Sequence, residues 1–183
     1  MNKKLLLIFI PIAIVPYLSL FALATIFFST TLPFFGWIMD SVFDSNALYL
    51  IAALLLYYIL AVALSIVCFV VSIYAKWDAL SLAMAAMVTT LAQIPAYILI
   101  FVLGFMFLIT IFTYPFSIAL FMLDCLSMFL TGLWVVASVL SAIRNNIFSF
   151  KEIFWVILLQ FVFCADVISS VVFYNKLKIK KRD

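Results

Sequence analysis

Long apolar runs, free of any charged side chain, dominate this sequence. The longest of them cover residues 5–39, 45–75 and 79–123. In hydrocarbon, a peptide group finds its hydrogen bonds only inside a helix or a closed β-barrel. The strands of a membrane barrel alternate apolar and polar residues over about ten positions, and these runs do not alternate. The pattern therefore predicts an all-α protein, a polytopic transmembrane helical bundle.

Turn signals divide the runs into five predicted spans. A transmembrane helix needs about 20 residues, so the last of the three runs must turn back, and Pro115 favours a turn directly before it. The segment 29–46 carries Asp40, Asp44 and several aromatic residues but no cation, which is typical of an external interfacial loop. The predicted spans cover about 5–28, 47–74, 79–111, 116–143 and 153–174, all within one domain of residues 1–183.

The third predicted span, 79–111, is long for one crossing and leaves two alternatives open. Its first half holds Thr89, Thr90 and Gln93, which are polar enough for a re-entrant or interfacial helix at about 79–93. The same stretch could also cross twice, which would give six spans. Two halves of about 16 residues would reach only about 24 Å, however, and the hydrocarbon core is about 30 Å thick.

The distribution of Lys and Arg, which favour the cytoplasmic side of a membrane, does not orient a five-span bundle. With five spans, each side carries five cations. One side would hold Lys3, Lys4, Lys76, Arg144 and Lys151. The other side would hold the cations of the C-terminal tail, so the side of the tail stays open.

Those five tail cations are expected to anchor the chain to anionic lipid headgroups. They are Lys176, Lys178, Lys180, Lys181 and Arg182. The lipid bilayer is therefore the first expected partner, and another membrane protein subunit or a second copy of this chain is a further one.

Composition supports a lipid environment and excludes several classes of function. Of 183 residues, 70% are hydrophobic and 9% are charged, whereas soluble domains have about 45–50% and about 25%. The chain has no histidine, and its three cysteines and three glycines are isolated. It therefore lacks a histidine-dependent triad, a zinc motif and a phosphate-binding loop. We expect no enzyme activity, cofactor or metal site, and no nucleic-acid partner.

Two aspartates inside predicted spans are the candidate functional residues. An ionisable group at membrane depth costs roughly 2.5–3.5 kcal/mol on insertion scales. If spans four and five are antiparallel neighbours, Asp124 and Asp166 sit at one depth, and so do Thr131 and Gln160. Polar residues also recur every seven positions on span four and therefore face one direction. These are Ser117, Asp124, Thr131 and Ser138.

Two interpretations of the aspartates remain open. In the structural one, each carboxyl is protonated or bonds to hydroxyl or carbonyl groups inside the bundle. In the functional one, the pair shares a proton or binds a cation, because two close carboxylates at low dielectric cannot both ionise cheaply.

Two strings carry a resemblance to a known family. They are QIPAYILIFVLG, from Gln93 to Gly104, and QFVFCADVISS, from Gln160 to Ser170. Together they resemble an uncharacterised family of small bacterial multi-pass membrane proteins. The resemblance implies a bacterial cytoplasmic membrane and supplies no activity.

The sequence thus leads to two expectations of function. The first is an integral membrane protein of unknown specific activity that serves as an accessory or scaffold subunit. The alternative is a small proton- or cation-coupled transporter, or a solute-binding membrane subunit, that uses the polar seam between spans four and five.

Overall fold

The computed structural model describes residues 3–109, 111–162 and 165–181, and this part of the chain contains seven α-helices. They are α1 (Lys3–Phe28), α2 (Pro33–Phe43), α3 (Ala47–Tyr74), α4 (Ala79–Leu108), α5 (Tyr114–Arg144), α6 (Phe150–Leu159) and α7 (Ala165–Lys180). The prediction of an all-α helical bundle is confirmed. The predicted loop 29–46 contains a short helix, α2.

Four helices are long and apolar enough to cross a membrane. They are the apolar part of α1, Phe9–Phe28, and the whole of α3, α4 and α5. α5 lies at the centre, because it packs against α1, α3, α4, α6 and α7. On α5, Trp134 is fully buried, and its ring centroid lies 4.2 Å from that of Phe9. The apolar outer faces and the long helices indicate a membrane-embedded protein.

α4 and α5 run in opposite directions, and the hydrogen bonds between them fix their relative depth. The Ser138 hydroxyl donates to the carbonyl of Ala79 at 2.7 Å. Towards the other end, the Ser117 hydroxyl donates to the carbonyl of Gly104 at 2.9 Å. Both serines belong to the predicted seven-residue series, which does face the interior of the bundle.

α4 is one helix of 30 residues, so both alternatives for 79–111 are wrong. Pro95 lies inside this helix and does not separate two elements. The polar residues of its first half are satisfied within the bundle. Thr89 donates to its own helix at 2.9 Å, and Thr90 lies 3.1 Å from the hydroxyl of Ser170 on α7. Their polarity marks a buried face of a long helix.

The fifth predicted span is not one helix, and five continuous spans are therefore wrong. α6 and α7 have 10 and 16 residues, too few to cross a core of about 30 Å. Glu152, at the start of α6, lies 3.6 Å from Lys180, at the end of α7. Near the break, Ser169 donates to Gln160 at 3.3 Å. The two helices therefore form an antiparallel pair, which we call the C-terminal hairpin.

The tip of the C-terminal hairpin lies level with the middle of α4 and α5. A Cβ atom placed on Gly132 of α5 would lie 3.2 Å from Cγ of Gln160, so the tip touches α5 closely. Thr90, which contacts Ser170, lies near the middle of α4. Residues 160–164 include no proline or glycine. No local helix breaker therefore marks the break, and the tip there makes close tertiary contacts instead.

The cations of the described residues gather at one end of the bundle, which we call the cationic end. Arg144 donates to the last turn of α3 at 2.8 Å, and Lys181 pairs with Asp78 at 2.7 Å. The cationic end holds Lys3, Lys4, Lys76, Arg144, Lys151, Lys176, Lys178, Lys180 and Lys181. The opposite end carries Asp40 and Asp44. The balance of cations expected for five spans therefore disappears, because the C-terminal hairpin returns the tail to the side it started from.

The tail lysines also contact the protein itself. The Lys176 ammonium lies 5.0 Å from the ring centroid of Trp155. Burial alone would raise the pKa of Asp78, but hydrogen bonds from Lys181 and a backbone N–H outweigh it and hold that pKa below its usual range. Arg182 lies outside the described residues. The role of these cations in lipid anchoring stays a prediction.

Candidate functional site

Buried polar side chains fill the space between α4, α5 and the C-terminal hairpin. We call them the polar cluster. Its members are Gln93, Tyr97, Asp124, Ser127, Thr131, Gln160, Asp166 and Ser169. All four candidate residues predicted from the sequence belong to it, two from α5 and two from the C-terminal hairpin.

Tyr97 connects the two halves of the polar cluster. Its hydroxyl donates to Oε1 of Gln93 at 2.8 Å and lies 3.4 Å from the hydroxyl of Ser127 on α5. Tyr97 therefore joins the α4 and α5 members of the polar cluster.

Asp124 and Asp166 lie at similar depths, but the prediction that their two helices are antiparallel is wrong. α7 runs in the same direction as α5, since two contacts of each helix show that both are antiparallel to α4. Those contacts place both residues level with positions 93–97 of α4, so their depths differ by less than about one helical turn. No hydrogen bond joins these two described side chains.

Thr131 and Gln160 lie level, as predicted, because α6 does run antiparallel to α5. Gln160 packs against Gly132, the residue after Thr131. The Thr131 hydroxyl donates to the carbonyls of Ser127 and Met128 on its own helix, at 3.3 and 3.1 Å. Gln160 instead turns its Oε1 atom towards Ser169.

Three atoms of the polar cluster have no hydrogen-bond partner among the described residues. They are Oδ1 of Asp124, Nε2 of Gln160 and Oδ2 of Asp166. Asp124 is 5% exposed and Asp166 is 1% exposed. An unpaired buried polar group costs about 1–3 kcal/mol, and a charged one costs more. The two carboxylate oxygens can therefore accept a proton or bind a cation, whereas the Gln160 amide nitrogen can only donate to an acceptor.

A cavity of about 370 Å³ extends from the polar cluster between α4 and α5. We call it the Asp124 cavity. It is lined by Ile100, Phe101, Gly104, Phe105, Leu108, Ser117, Leu120, Phe121 and Asp124. Asp124 lies at its deep end, and the cavity runs from there towards the end of the bundle opposite the cationic end.

Four members of the cluster were not predicted as site residues: Gln93, Tyr97, Ser127 and Ser169. Two spacing signals pointed to the first three. Tyr97 follows Gln93 by four residues, so the two lie on one face of α4. Ser127 follows Asp124 by three residues and shares its face of α5.

Gln93 also repairs a backbone defect in α1. Pro16 has no N–H, so the carbonyl of Ile12 lacks its usual partner four residues along the helix. Nε2 of Gln93 donates to that carbonyl at 2.9 Å. Neighbouring helices commonly satisfy groups that a proline frees inside a membrane. The contact therefore ties α1 to the polar cluster.

Replacing Gln93 with leucine is expected to lower the free energy of unfolding by about 1–2 kcal/mol. In a Pro16→Ala background, residue 16 regains an N–H that can bond to Ile12, so the same replacement should cost about half as much. Reversible denaturant unfolding of the four proteins in mixed micelles gives both values. An equal cost in both backgrounds would show that Gln93 does not serve this carbonyl.

The side chains available as ligands limit which ions the site can hold. Among the described residues, no three His, Cys, Asp or Glu side chains lie close enough to hold a metal ion. The carboxylate oxygens of Asp124 and Asp166 are typical of membrane sites that hold protons or monovalent cations. Comparisons of this chain with protein-family models, curated proteins and solved structures found no match.

Proposed function

We propose that this protein is a small membrane carrier coupled to protons or cations, with Asp124 and Asp166 at its coupling site. The observation that carries the proposal is the pair of unpaired carboxylate oxygens, Oδ1 of Asp124 and Oδ2 of Asp166, inside the bundle. Ionisable groups at membrane depth are costly and usually mark a proton or ion pathway.

The C-terminal hairpin supports this proposal. Secondary transporters commonly place coupling ions near the membrane midplane, where helices are discontinuous. Here α7 begins at the depth of the polar cluster, and Asp166 lies in its first turn. The positive end of a helix dipole favours a negative charge at that position. The dipole therefore offsets part of the cost of ionising Asp166 inside the bundle.

The charge distribution supports one orientation. Lys and Arg favour the cytoplasmic side, so the cationic end would face the cytoplasm of the bacterial membrane implied by the family resemblance. The four long helices would cross the bilayer, and the C-terminal hairpin would enter it and return. The Asp124 cavity would then lie in the half of the membrane away from the cytoplasm.

The accessory or scaffold role predicted from the sequence is the alternative. The side chains on the outer face of α3 are largely exposed, including Leu48 and Ile59 at 70% and 64%. Lipid or a partner subunit would cover that face. Stable co-purification of a second membrane protein, without ion flux by the isolated chain, would favour this role.

Ion flux in proteoliposomes tests the carrier proposal. Liposomes containing the purified protein and an internal pH dye are given a pH gradient, and Na⁺ or K⁺ is then added outside. We expect one of these cations to dissipate the gradient, and the Asp124→Asn/Asp166→Asn protein to show only the rate of protein-free liposomes.

The matched control is Asp40→Asn, which removes an exposed carboxylate at the end opposite the cationic end. It should leave the flux unchanged. Wild-type flux that persists in the double asparagine protein contradicts the coupling role, and absence of flux in the wild type contradicts transport of these ions.

A further inference from the structure

We infer that the Asp124 cavity binds an organic monovalent cation with an apolar body, which enters from the lipid. This inference rests on the proposed function and names the substrate class of that site. It depends on three features of the cavity: its one unpaired polar group, its apolar wall and its opening towards lipid.

The unpaired polar group sets the charge of the occupant. Two polar side chains line the cavity, Ser117 and Asp124. The Ser117 hydroxyl already donates to Gly104, whereas Oδ1 of Asp124 has no partner among the described residues. Asp124 is also more than nine-tenths buried. A carboxylate in an apolar pocket attracts a cation and repels an anion.

The wall sets the chemistry of the rest of the occupant. Apart from those two residues, the lining is aliphatic or aromatic, and it includes Phe101, Phe105 and Phe121. A sugar or another polar solute would leave its hydroxyls unpaired against this wall. Aromatic rings attract organic cations through their faces. An apolar body with one positive charge therefore satisfies both the wall and Asp124.

The volume agrees with an organic occupant. The cavity measures about 370 Å³, and pockets for small organic ligands range from about 300 to 1,000 Å³. A bare alkali ion would leave most of the apolar space empty.

The opening explains how such a molecule arrives. Phe105 and Phe121, on opposite walls, are 65% and 63% exposed on the outer surface of the helices. That surface would face lipid tails, where apolar cations accumulate. A phospholipid tail is the competing occupant, because it matches the wall but has no use for the carboxylate.

Binding of tetraphenylphosphonium to the purified protein in lipid nanodiscs tests the inference. Asp124→Asn should weaken binding by at least about tenfold, because it removes the buried countercharge. Asp124→Glu should restore most of the affinity, which separates charge from correct folding. Gly104→Leu should also weaken binding by about tenfold or more, since its side chain would occupy the cavity.

Two matched controls should bind within about twofold of wild type, because surface changes away from a site have small effects. They are Val102→Leu, on the lipid-facing side of α4, and Asp40→Asn. Binding that survives Asp124→Asn but falls with Gly104→Leu would assign the cavity to a lipid tail and overturn the inference. So would a wild-type protein that does not bind the probe.

The two proposals fail separately. If the wild type shows aspartate-dependent flux of Na⁺ or K⁺ but does not bind tetraphenylphosphonium, the substrate class is wrong and the carrier proposal stands. If it binds the probe through Asp124 but shows no flux of protons or cations, the site is a receptor site and the carrier proposal is wrong.

Discussion

Replacing Gly132 with leucine is expected to lower the free energy of unfolding by about 2–3 kcal/mol. Even a Cβ atom at this position would lie 3.2 Å from Cγ of Gln160 and 3.3 Å from a ring carbon of Phe161. A leucine side chain would occupy the space in which the tip of the C-terminal hairpin sits. The tip would move away from α5, and Gln160 would leave the polar cluster.

Denaturant unfolding in mixed micelles measures this loss, and Gly104→Ala provides the matched control. A Cβ atom on Gly104 would meet its nearest neighbour, the Ser117 hydroxyl, at 3.8 Å, which is ordinary contact. Alanine there should therefore change stability by less than about 0.5 kcal/mol. A Gly132→Leu protein as stable as the Gly104→Ala protein would show that the tip does not pack on α5.

The long helices could be predicted because local signals mark their ends. α3 begins and ends where the prediction placed its span, since Asn46 and Lys76 interrupt a run that is otherwise apolar. Asn46 accepts a hydrogen bond from the backbone N–H of Leu48 at 2.9 Å. The Asp78 carboxylate accepts a hydrogen bond from the backbone N–H of Ser81 at 3.2 Å and so caps α4. Such caps depend on residues close in sequence.

The C-terminal hairpin could not be predicted from those signals. The stretch 153–174 is apolar and long enough for one crossing, and no proline or glycine interrupts it. The contacts that accompany the break join residues distant in the sequence: Gly132 lies against Gln160 at the tip, and Glu152 pairs with Lys180 across the hairpin. Neither contact can be predicted from the hydropathy of the sequence.

One global signal did point to the hairpin. A five-span chain divides its cations equally between the two sides, which is unusual for a membrane protein. A final segment that returns to its starting side removes this conflict. The charge balance therefore argued against the span count, although it could not show which segment turned back.

The candidate site was predicted in part, and for partly wrong reasons. Asp124 and Thr131 share a face of α5, as their seven-residue spacing indicates, and Gln160 meets that face as an antiparallel neighbour. Asp166 reaches the cluster on α7, which runs parallel to α5 and not antiparallel to it as predicted. The contribution of α4 through Gln93 depends on helix packing, which a single sequence does not specify.

The side of the membrane reached by the C-terminal tail should be the same as that of the loop between α5 and α6. A continuous fifth span would place them on opposite sides. The two arrangements therefore predict opposite results for the accessibility of the tail. The probes are single cysteines at Asn145, Lys178 and Thr31, which are exposed. The background replaces the native cysteines, Cys68, Cys125 and Cys164.

Labelling of these cysteines with a membrane-impermeant maleimide, in right-side-out and in inverted vesicles, tests the central claim most directly. If the C-terminal hairpin enters the bilayer and returns, Asn145→Cys and Lys178→Cys react in inverted vesicles, and Thr31→Cys reacts in right-side-out vesicles. If Asn145→Cys and Lys178→Cys react from opposite sides, the last apolar stretch crosses the membrane and the C-terminal hairpin does not exist.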